Sequence, residues 1–313
     1  MKKYTLLLLA CLGACHVRAQ TLFNIVDSVN VNRVNAAVSV HGDMWYNPQT
    51  GEPHCKHPLY KMPNISAGGA LWLSGYDAGG DLHVAAHTYR EWGIDYWPGP
   101  LDAAGNLTEY NSGDWSKIWR VSREEINTFK GKTRHDAFTT PPSILQWPGK
   151  GNVHARGRNG IPLTVTTDMA PFVDLNGDGM YEPFEGEYPD VPGDEAMWWV
   201  FSDNGPTHSS TKGRPLKAEV HAMSYAYRRG TLMDYVVYYE YEVVNKSGED
   251  YHDVRMGLWN AGEDGMAIYE DYIAFDSSRR MGGIFYQFEN DWSGTGSPDD
   301  GIIPRPFATG ITI

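Results

Sequence analysis

The sequence is poor in cysteine, in long apolar runs and in helical spacing. Only 3 of its 313 residues are cysteine, and two of these lie within the first fifteen positions, which leaves Cys55 in the rest of the chain. A disulfide framework is therefore excluded, and stability must come from a hydrophobic core. Beyond the N-terminal leader, no apolar run is long enough to predict a transmembrane segment.

Positive charge is scarce relative to negative charge. The 26 Lys and Arg residues against 39 Asp and Glu residues give a formal net charge of -13. This balance argues against nucleic acid and anionic membrane surfaces as partners, because both repel an acidic protein. The sequence also lacks the zinc-protease helix motif, the Gly-x-Ser-x-Gly elbow, a phosphate-binding loop and a dinucleotide fingerprint. We therefore favour a non-enzymatic role and assign no catalytic residue.

The N-terminus has the pattern of a secretory signal peptide. Lys2 and Lys3 precede a short apolar run, and Ala19 precedes a cleavage position before Gln20. We predict a signal peptide over residues 1–19 and a secreted or outer-surface location. A lipoprotein signal is the alternative, because two short segments end in a lipidatable cysteine, Cys11 and Cys15.

Residues 174–185 match the twelve-residue calcium loop, in which oxygen ligands occupy positions 1, 3, 5, 7, 9 and 12. Gly179 falls where the loop must turn sharply. The pattern predicts a Ca²⁺ site whose ligands are the side chains of Asp174, Asn176, Asp178, Glu182 and Glu185 and the backbone carbonyl of Met180.

Helix-breaking residues surround this loop. Pro171 precedes it, Pro183 lies inside it, and Gly186 and Pro189 follow it. A calcium sensor needs a helix on each side of its loop, because its output is a change in interhelical angle. The sequence therefore predicts a structural ion in an EF-hand-like loop outside a helical pair. Export agrees with this reading, since extracellular calcium fills even weak loops.

The rest of the chain predicts an all-β fold, mainly an antiparallel sandwich, with one short helix. Helical spacing is confined to residues 116–130, where Ser122 and Glu125 have the spacing of a capping box. Predicted strands cover residues 70–76 and 82–89 (a hairpin), 216–227 and 234–244 (long neighbours), 251–259 and 284–288. We divide the mature chain into an N-terminal β-rich region at 20–170, a calcium-loop connection at 171–192 and a C-terminal β-sandwich region at 193–313.

Two further groups of residues are weaker metal candidates. His54, Cys55 and His57 are close in sequence, but an ordinary loop is the favoured reading because a fourth ligand is missing. His83 and His87 share one face of a predicted strand by parity, and packing in a sheet is the favoured reading there.

Aromatic residues are abundant, with 11 Trp and 19 Tyr. Exposed rings in a row would form a carbohydrate-binding surface, whereas buried rings would fill a sandwich core, which is the commoner use. Adjacent Trp198 and Trp199 must point to opposite faces of a strand, so at least one is expected in the core. The tryptophans considered for carbohydrate contact are Trp45, Trp92, Trp97, Trp115 and Trp119.

Several stretches in fixed order resemble a known group of proteins. They cover residues 41–43, 70–77, 82–90, 95–101, 115–119, 170–189 and 193–199. In combination they are similar to large secreted proteins of Bacteroidota whose members leave the cell by the type IX secretion system and carry a C-terminal sorting domain. The resemblance covers most of residues 35–290 and implies a cell-surface protein. No sorting domain is recognisable before Ile313, and a truncated C-terminal region is the corresponding expectation.

The resemblance also implies a second acidic motif, from which this chain departs. Ala261 and Ala274 replace the expected Asp and Gly. A second calcium site and ordinary solvated carboxylates both remain open for this stretch. The residues concerned are Glu263, Glu270, Asp271 and Asp276.

Taken together, the sequence predicts a secreted or surface calcium-binding protein with a structural or adhesive role. Its expected partners are calcium and either polysaccharide or other surface proteins. The alternative is a carbohydrate-binding module or glycan-acting enzyme that uses exposed Trp and Tyr rings and acidic residues.

Overall fold

A computed structural model describes residues 24–56, 66–261, 271–278, 280–286 and 308–312. Within these ranges the chain is mostly β-strand, in antiparallel sheets, with three short α-helices. The helices are α1 Glu109–Asp114, α2 Arg123–Lys130 and α3 Pro142–Leu145. The predicted signal peptide lies outside the described residues.

The described ranges contain eighteen strands of two to ten residues. They are β1 Val26–Val29, β2 Asn35–Ser39, β3 Tyr46–Asn47, β4 Glu52–Pro53, β5 Cys55–Lys56, β6 Gly68–Tyr76, β7 Leu82–Ala85, β8 Trp97–Pro98, β9 Trp119–Ser122, β10 Phe172–Val173, β11 Tyr188–Pro189, β12 Glu195–Ser202, β13 Ala218–Ala226, β14 Val237–Asn245, β15 His252–Ala261, β16 Asp271–Asp276, β17 Met281–Tyr286 and β18 Ala308–Thr312.

Two sheets dominate the fold. The first joins the order β1-β2-β5 to the order β15-β6-β7, because Met44 bridges to Val38 on one side and to Gly69 on the other. The second has the order β14-β13-β12-β8, and β9 also pairs with β12. A separate sheet contains β16, β17 and β18, and two small pairs are β3 with β4 and β10 with β11.

Two hydrophobic cores lie on opposite faces of the second sheet. The first core combines side chains of both large sheets, among them Leu71 and Trp199. The second core combines the other face of the second sheet with α2, α3 and the connecting loops, among them Trp198, Ile126 and Trp147. Strand β12 is therefore buried on both faces, which accounts for its continuous apolar sequence. The prediction that at least one ring of the Trp198–Trp199 pair is buried is confirmed, since both are.

Most of the long-strand predictions are confirmed. The hairpin forms between β6 and β7, although β7 ends at Ala85 and does not extend to residue 89. Strands β13 and β14 pair antiparallel along nine residues, and β14 begins at Val237 because the residues expected to start it form the 3₁₀ turn Leu232–Tyr235. The strand expected over 251–259 is β15, which pairs with the distant β6. The strand expected over 284–288 is described up to Tyr286, where β17 ends.

The helix predicted over 116–130 is correct only in its second half. Helix α2 begins at Arg123, and the Ser122–Glu125 capping box is present in both directions. The preceding residues form β9 instead, because Trp119 and Val121 alternate into the second core while the backbone pairs with β12. Helices α1 and α3 were not predicted, since four to six residues are too few to show a period.

The division into regions stays a prediction. Both cores contain residues from either side of segment 171–192.

Candidate metal centre

The predicted calcium loop is closed by a short strand pair. Strand β10 pairs antiparallel with β11, in the register Phe172 with Pro189 and Val173 with Tyr188. The two ends of the intervening segment 174–187 are thereby brought together. Strands, not helices, flank the loop, as the proline pattern predicted.

Tyr181 anchors this loop to the second core. Its side chain is buried, and its hydroxyl donates to the Ile144 carbonyl at 2.9 Å. Its backbone N–H donates to the Lys150 carbonyl at 2.6 Å. Gly149 permits this approach, because an added Cβ would lie 2.7 Å from the Tyr181 side chain. The loop is therefore held against a packed surface at its middle as well as at its ends.

Asp174 organises the first half of the loop. Its carboxylate accepts the N–H groups of Gly177 at 2.6 Å and Gly179 at 2.8 Å. Both glycines have positive φ, +80° and +76°, which a side chain would disfavour. The two N–H groups, with that of Gly179 contributing most, lower the pKa of the Asp174 carboxyl. Asp174 is thus held ionised at the first ligand position.

Asn176, Asp178 and Glu182 meet around one amide group. The Asn176 Nδ2 donates to Asp178 Oδ2 at 3.3 Å and to Glu182 Oε2 at 3.1 Å. The Asn176 Oδ1 accepts the Asp178 N–H at 2.9 Å. Asp178 Oδ1 in turn accepts the N–H of Met180 at 2.8 Å. Three predicted ligand side chains are therefore neighbours in space.

Glu185 differs from the other predicted ligands. It ends the 3₁₀ turn Pro183–Glu185 and is exposed. Its N–H donates to the Glu182 carbonyl at 2.9 Å, but no hydrogen bond or ion pair joins its carboxylate to another described residue. Glu185 therefore lies at the exposed end of the loop, and its carboxylate does not join the group formed by Asn176, Asp178 and Glu182.

Glu187 is a loop residue that the calcium pattern does not include. Its side chain is fully buried. Oε1 accepts the Leu175 N–H at 2.9 Å, and Oε2 accepts the Glu182 N–H at 2.7 Å. Charge-assisted hydrogen bonds of this kind compensate for burial of a carboxylate. Glu187 therefore links Leu175, at the second position of the loop, to Glu182, at its ninth position, from the buried side of the loop.

The loop provides the chemistry of a hard cation site. Its predicted side-chain ligands are carboxylates and one amide, which present the oxygen donors that Ca²⁺ prefers. Across the described ranges, no group of three or more His, Cys, Asp or Glu side chains has the geometry to hold a metal ion as placed. Several loop oxygens instead accept N–H groups from within the loop.

The weaker metal candidates have separate partners. His83 contacts the Pro215 carbonyl at 2.6 Å and Asp77 at 3.2 Å, whereas His87 contacts Asp43 at 3.1 Å. His54 lies 3.2 Å from the Asn35 side chain. Burial raises the pKa of the Cys55 thiol to about 12, and His57 is outside the described residues.

The proposed second acidic site is only partly described. Asp271 and Asp276 are the first and last residues of β16, so their Cα atoms are roughly 16 Å apart. Glu263 and Glu270 lie outside the described residues, and this site stays a prediction.

A buried ionic cluster surrounds Asp43. Its carboxylate contacts His87, the Arg90 Nε at 3.0 Å and the Ser39 hydroxyl at 2.5 Å. The Arg90 guanidinium also contacts His41 Nδ1 at 2.7 Å. Burial opposes ionisation of Asp43, but Arg90 and His87 lower its pKa well below the ordinary range. All five side chains are buried, and they connect the end of β2 and the residues after it with the segment that follows β7.

Most of the tryptophans considered for carbohydrate contact are in the cores. Trp45, Trp97, Trp115 and Trp119 are buried, whereas Trp92 is 72% exposed. The Trp92 ring meets Tyr89 edge-on with a centroid distance of 5.1 Å. These five rings therefore do not form an exposed row.

Comparison with protein-family models, curated proteins and solved structures finds no match to this chain. In the part that the structure describes, every helix is too short or too polar to cross a bilayer.

Proposed function

We propose that this chain is a calcium-stabilised, β-rich protein of the cell exterior with a structural or adhesive role. The observation that carries the proposal is the loop at 174–187. It is closed by β10 and β11, anchored by Tyr181, and brings Asn176, Asp178 and Glu182 together beside the ionised Asp174. Calcium would stabilise a folded loop that already exists.

The charges of the loop favour a cation without requiring one for folding. Asp178 and Glu182 both contact the Asn176 amide, so their carboxylates are close neighbours. At about 6 Å in a solvated setting, repulsion between two such charges amounts to less than about 1 kcal/mol. The two hydrogen bonds to the Glu187 carboxylate, at about 1.5–3 kcal/mol each, contribute more than this repulsion costs. Calcium would take the place of the Asn176 N–H donor between the carboxylates, with Glu185 turning inward to complete the ligand set.

The proposed location follows from the same chemistry. The signal pattern at residues 1–19 and the single Cys55 of the mature sequence are typical of an exported protein without disulfides. Calcium at ten times its dissociation constant would contribute about 1.4 kcal/mol to folding. A millimolar extracellular concentration therefore suffices even for a weak loop.

Glu185 provides the cleanest test, because its carboxylate has no partner among the described residues. In a chain that begins at Gln20, calcium should raise the melting temperature, and Glu185→Gln should remove most of that rise while leaving the melting curve in EDTA unchanged. Glu52→Gln, at an exposed position on β4, is the matched control and should behave as the parent chain. Asp174→Ala is less diagnostic, since it also removes the two glycine N–H bonds.

Isothermal titration decides the proposal independently of stability. Saturable heat at millimolar calcium or below, reduced in the Glu185→Gln variant, is the expected result. The absence of heat and of bound ion at that concentration would overturn the calcium assignment.

A saccharide-contacting role is the second candidate, and exposed Trp92 favours it. Its ring contacts Tyr89, which in turn meets Trp259 at a centroid distance of 5.1 Å. An exposed indole supported by other rings offers a flat face to a sugar. Glycan-array binding that disappears in Trp92→Ala but persists in Phe138→Ala, a control at a more exposed aromatic residue, would promote this role.

A further inference from the structure

Strand β14 forms an edge of the second sheet. It pairs with β13 along all nine residues, and no other described strand pairs with it. Its sequence, Val-Tyr-Tyr-Glu-Tyr-Glu-Val-Val-Asn, contains no Pro, Gly or Lys. Natural edge strands are usually short, bulged or interrupted by such residues, because an open edge is a template for another strand. The only charged side chains of this long and regular edge are Glu240 and Glu242, so it can accept a strand that carries complementary charge.

The outward-facing peptide groups of β14 follow from its register. The Lys246 N–H donates to the Lys217 carbonyl at 3.0 Å, one pair beyond the match of Asn245 with Ala218. Hydrogen-bonded and non-hydrogen-bonded pairs alternate along an antiparallel ladder. Lys246 belongs to a hydrogen-bonded pair, so every second residue before it also directs its N–H and C=O groups toward β13. The residues between them direct these groups away from β13. The central residues in this orientation are Tyr239, Tyr241 and Val243.

The two faces of β14 differ in chemistry. One face carries Glu240, which accepts the Tyr225 hydroxyl at 2.9 Å, and Glu242, whose side chain is 73% exposed. The opposite face carries Tyr239 and Tyr241, which pack against the first core, and the partly exposed Val243. An added strand would extend both faces, so it needs basic residues at alternate positions and apolar residues between them.

We propose that β14 is a docking edge for an extended segment of another protein that alternates basic and apolar residues. Self-association is disfavoured, because full antiparallel pairing of two copies about Tyr241 places Glu240 of one opposite Glu242 of the other. Each copy also carries a net charge of -13.

The segments of this chain outside the described residues do not have the required pattern. Residues 57–65 contain one lysine, Lys61, between Pro58 and Pro63, and the lysines and arginine of residues 1–23 all lie in the predicted signal peptide. Residues 262–270 contain three acidic residues and no basic residue. Residues 287–307 contain a single basic residue, Arg305, between Pro304 and Pro306. Proline cannot donate to a sheet ladder, which leaves a separate partner as the occupant.

The test uses three synthetic nine-residue peptides with capped ends. One alternates Val and Lys, one alternates Val and Glu, and one has the composition of the first with its lysines in a single block. The alternating Lys peptide should bind the chain in fluorescence anisotropy and slow hydrogen exchange at the amides of Tyr239, Tyr241 and Val243. Equal binding of the blocked peptide, or binding without that protection, would overturn the proposal.

Two variants separate charge from strand pairing. Glu240→Gln combined with Glu242→Gln should weaken binding of the alternating Lys peptide by about three- to tenfold, because two favourable cross-strand pairs are lost. Val243→Pro removes an outward N–H without breaking a bond to β13 and should also weaken it. Undiminished binding in both variants, or protection of these amides by dimerisation without peptide, would refute the assignment.

Discussion

Glu187→Gln tests how the loop is held in the absence of metal. The native carboxylate accepts the Leu175 and Glu182 N–H groups from a fully buried position. The glutamine amide retains one acceptor oxygen, but its NH₂ group must face the second N–H. The substitution therefore breaks one charge-assisted bond and leaves a buried donor without an acceptor, with almost no change in shape.

The expected loss can be worked out from these contacts. One hydrogen bond to a charged group is worth about 1.5–3 kcal/mol, and an unsatisfied buried donor costs about 1–3 kcal/mol. The neutral glutamine avoids the free-energy cost of burying a charge, which offsets part of this loss of stability. A net destabilisation of about 2–4 kcal/mol remains, which lowers the melting temperature of a chain of this size by roughly 4–12 °C.

The assay is thermal unfolding in EDTA, so that calcium contributes nothing. Glu187→Gln should melt well below the parent chain, whereas Glu185→Gln, two residues away, should melt with it. A Glu187→Gln variant as stable as the parent chain would show that the two hydrogen bonds contribute little, and the proposed support of the loop from beneath would be wrong.

Two further predictions follow from burial. Burial lowers the pKa of the Lys117 ammonium from 10.5 to about 8, so the folded chain binds this proton less tightly than the unfolded chain does. The free energy of unfolding should therefore rise between about pH 8 and 10.5. Lys117→Met should remove that rise. Competitive acylation measures the same group directly, and a midpoint near 10.5 would mean that the Arg156 carbonyl and the Trp119 ring offset burial. The Cys55 thiol, buried and with its pKa raised to about 12, should not react with a disulfide reagent at pH 8 until the chain unfolds; rapid reaction under native conditions would contradict its placement in the first core.

Local patterns predicted local structure well. The capping box located the start of α2, and the hairpin between β6 and β7 followed from alternation around a glycine-rich turn. The spacing within the calcium pattern also brought Asn176, Asp178 and Glu182 together, because they lie within seven residues of one another. The error at residues 116–122 arose because Ile118 and Val121 fit a helical face while Trp119 and Val121 fit a strand.

Features that depend on distant pairing were beyond local reasoning. Strand β15 pairs with β6, about 180 residues earlier, and no local signal identifies that partner. Glu187 acquires its role only because β11 returns beside β10 and places its side chain beneath the loop. Aromatic composition alone did not distinguish the buried Trp45 and Trp97 from the exposed Trp92.

Strand β12 has a consequence for how the molecule comes apart. Its alternate side chains enter two different cores, so displacement of β12 exposes Trp199 of the first core and Trp198 of the second core together. Loss of this single strand would remove the shared wall between them. A cut between residues 171 and 192 would accordingly yield two fragments with exposed apolar surfaces, which should stay associated and separate only when both melt.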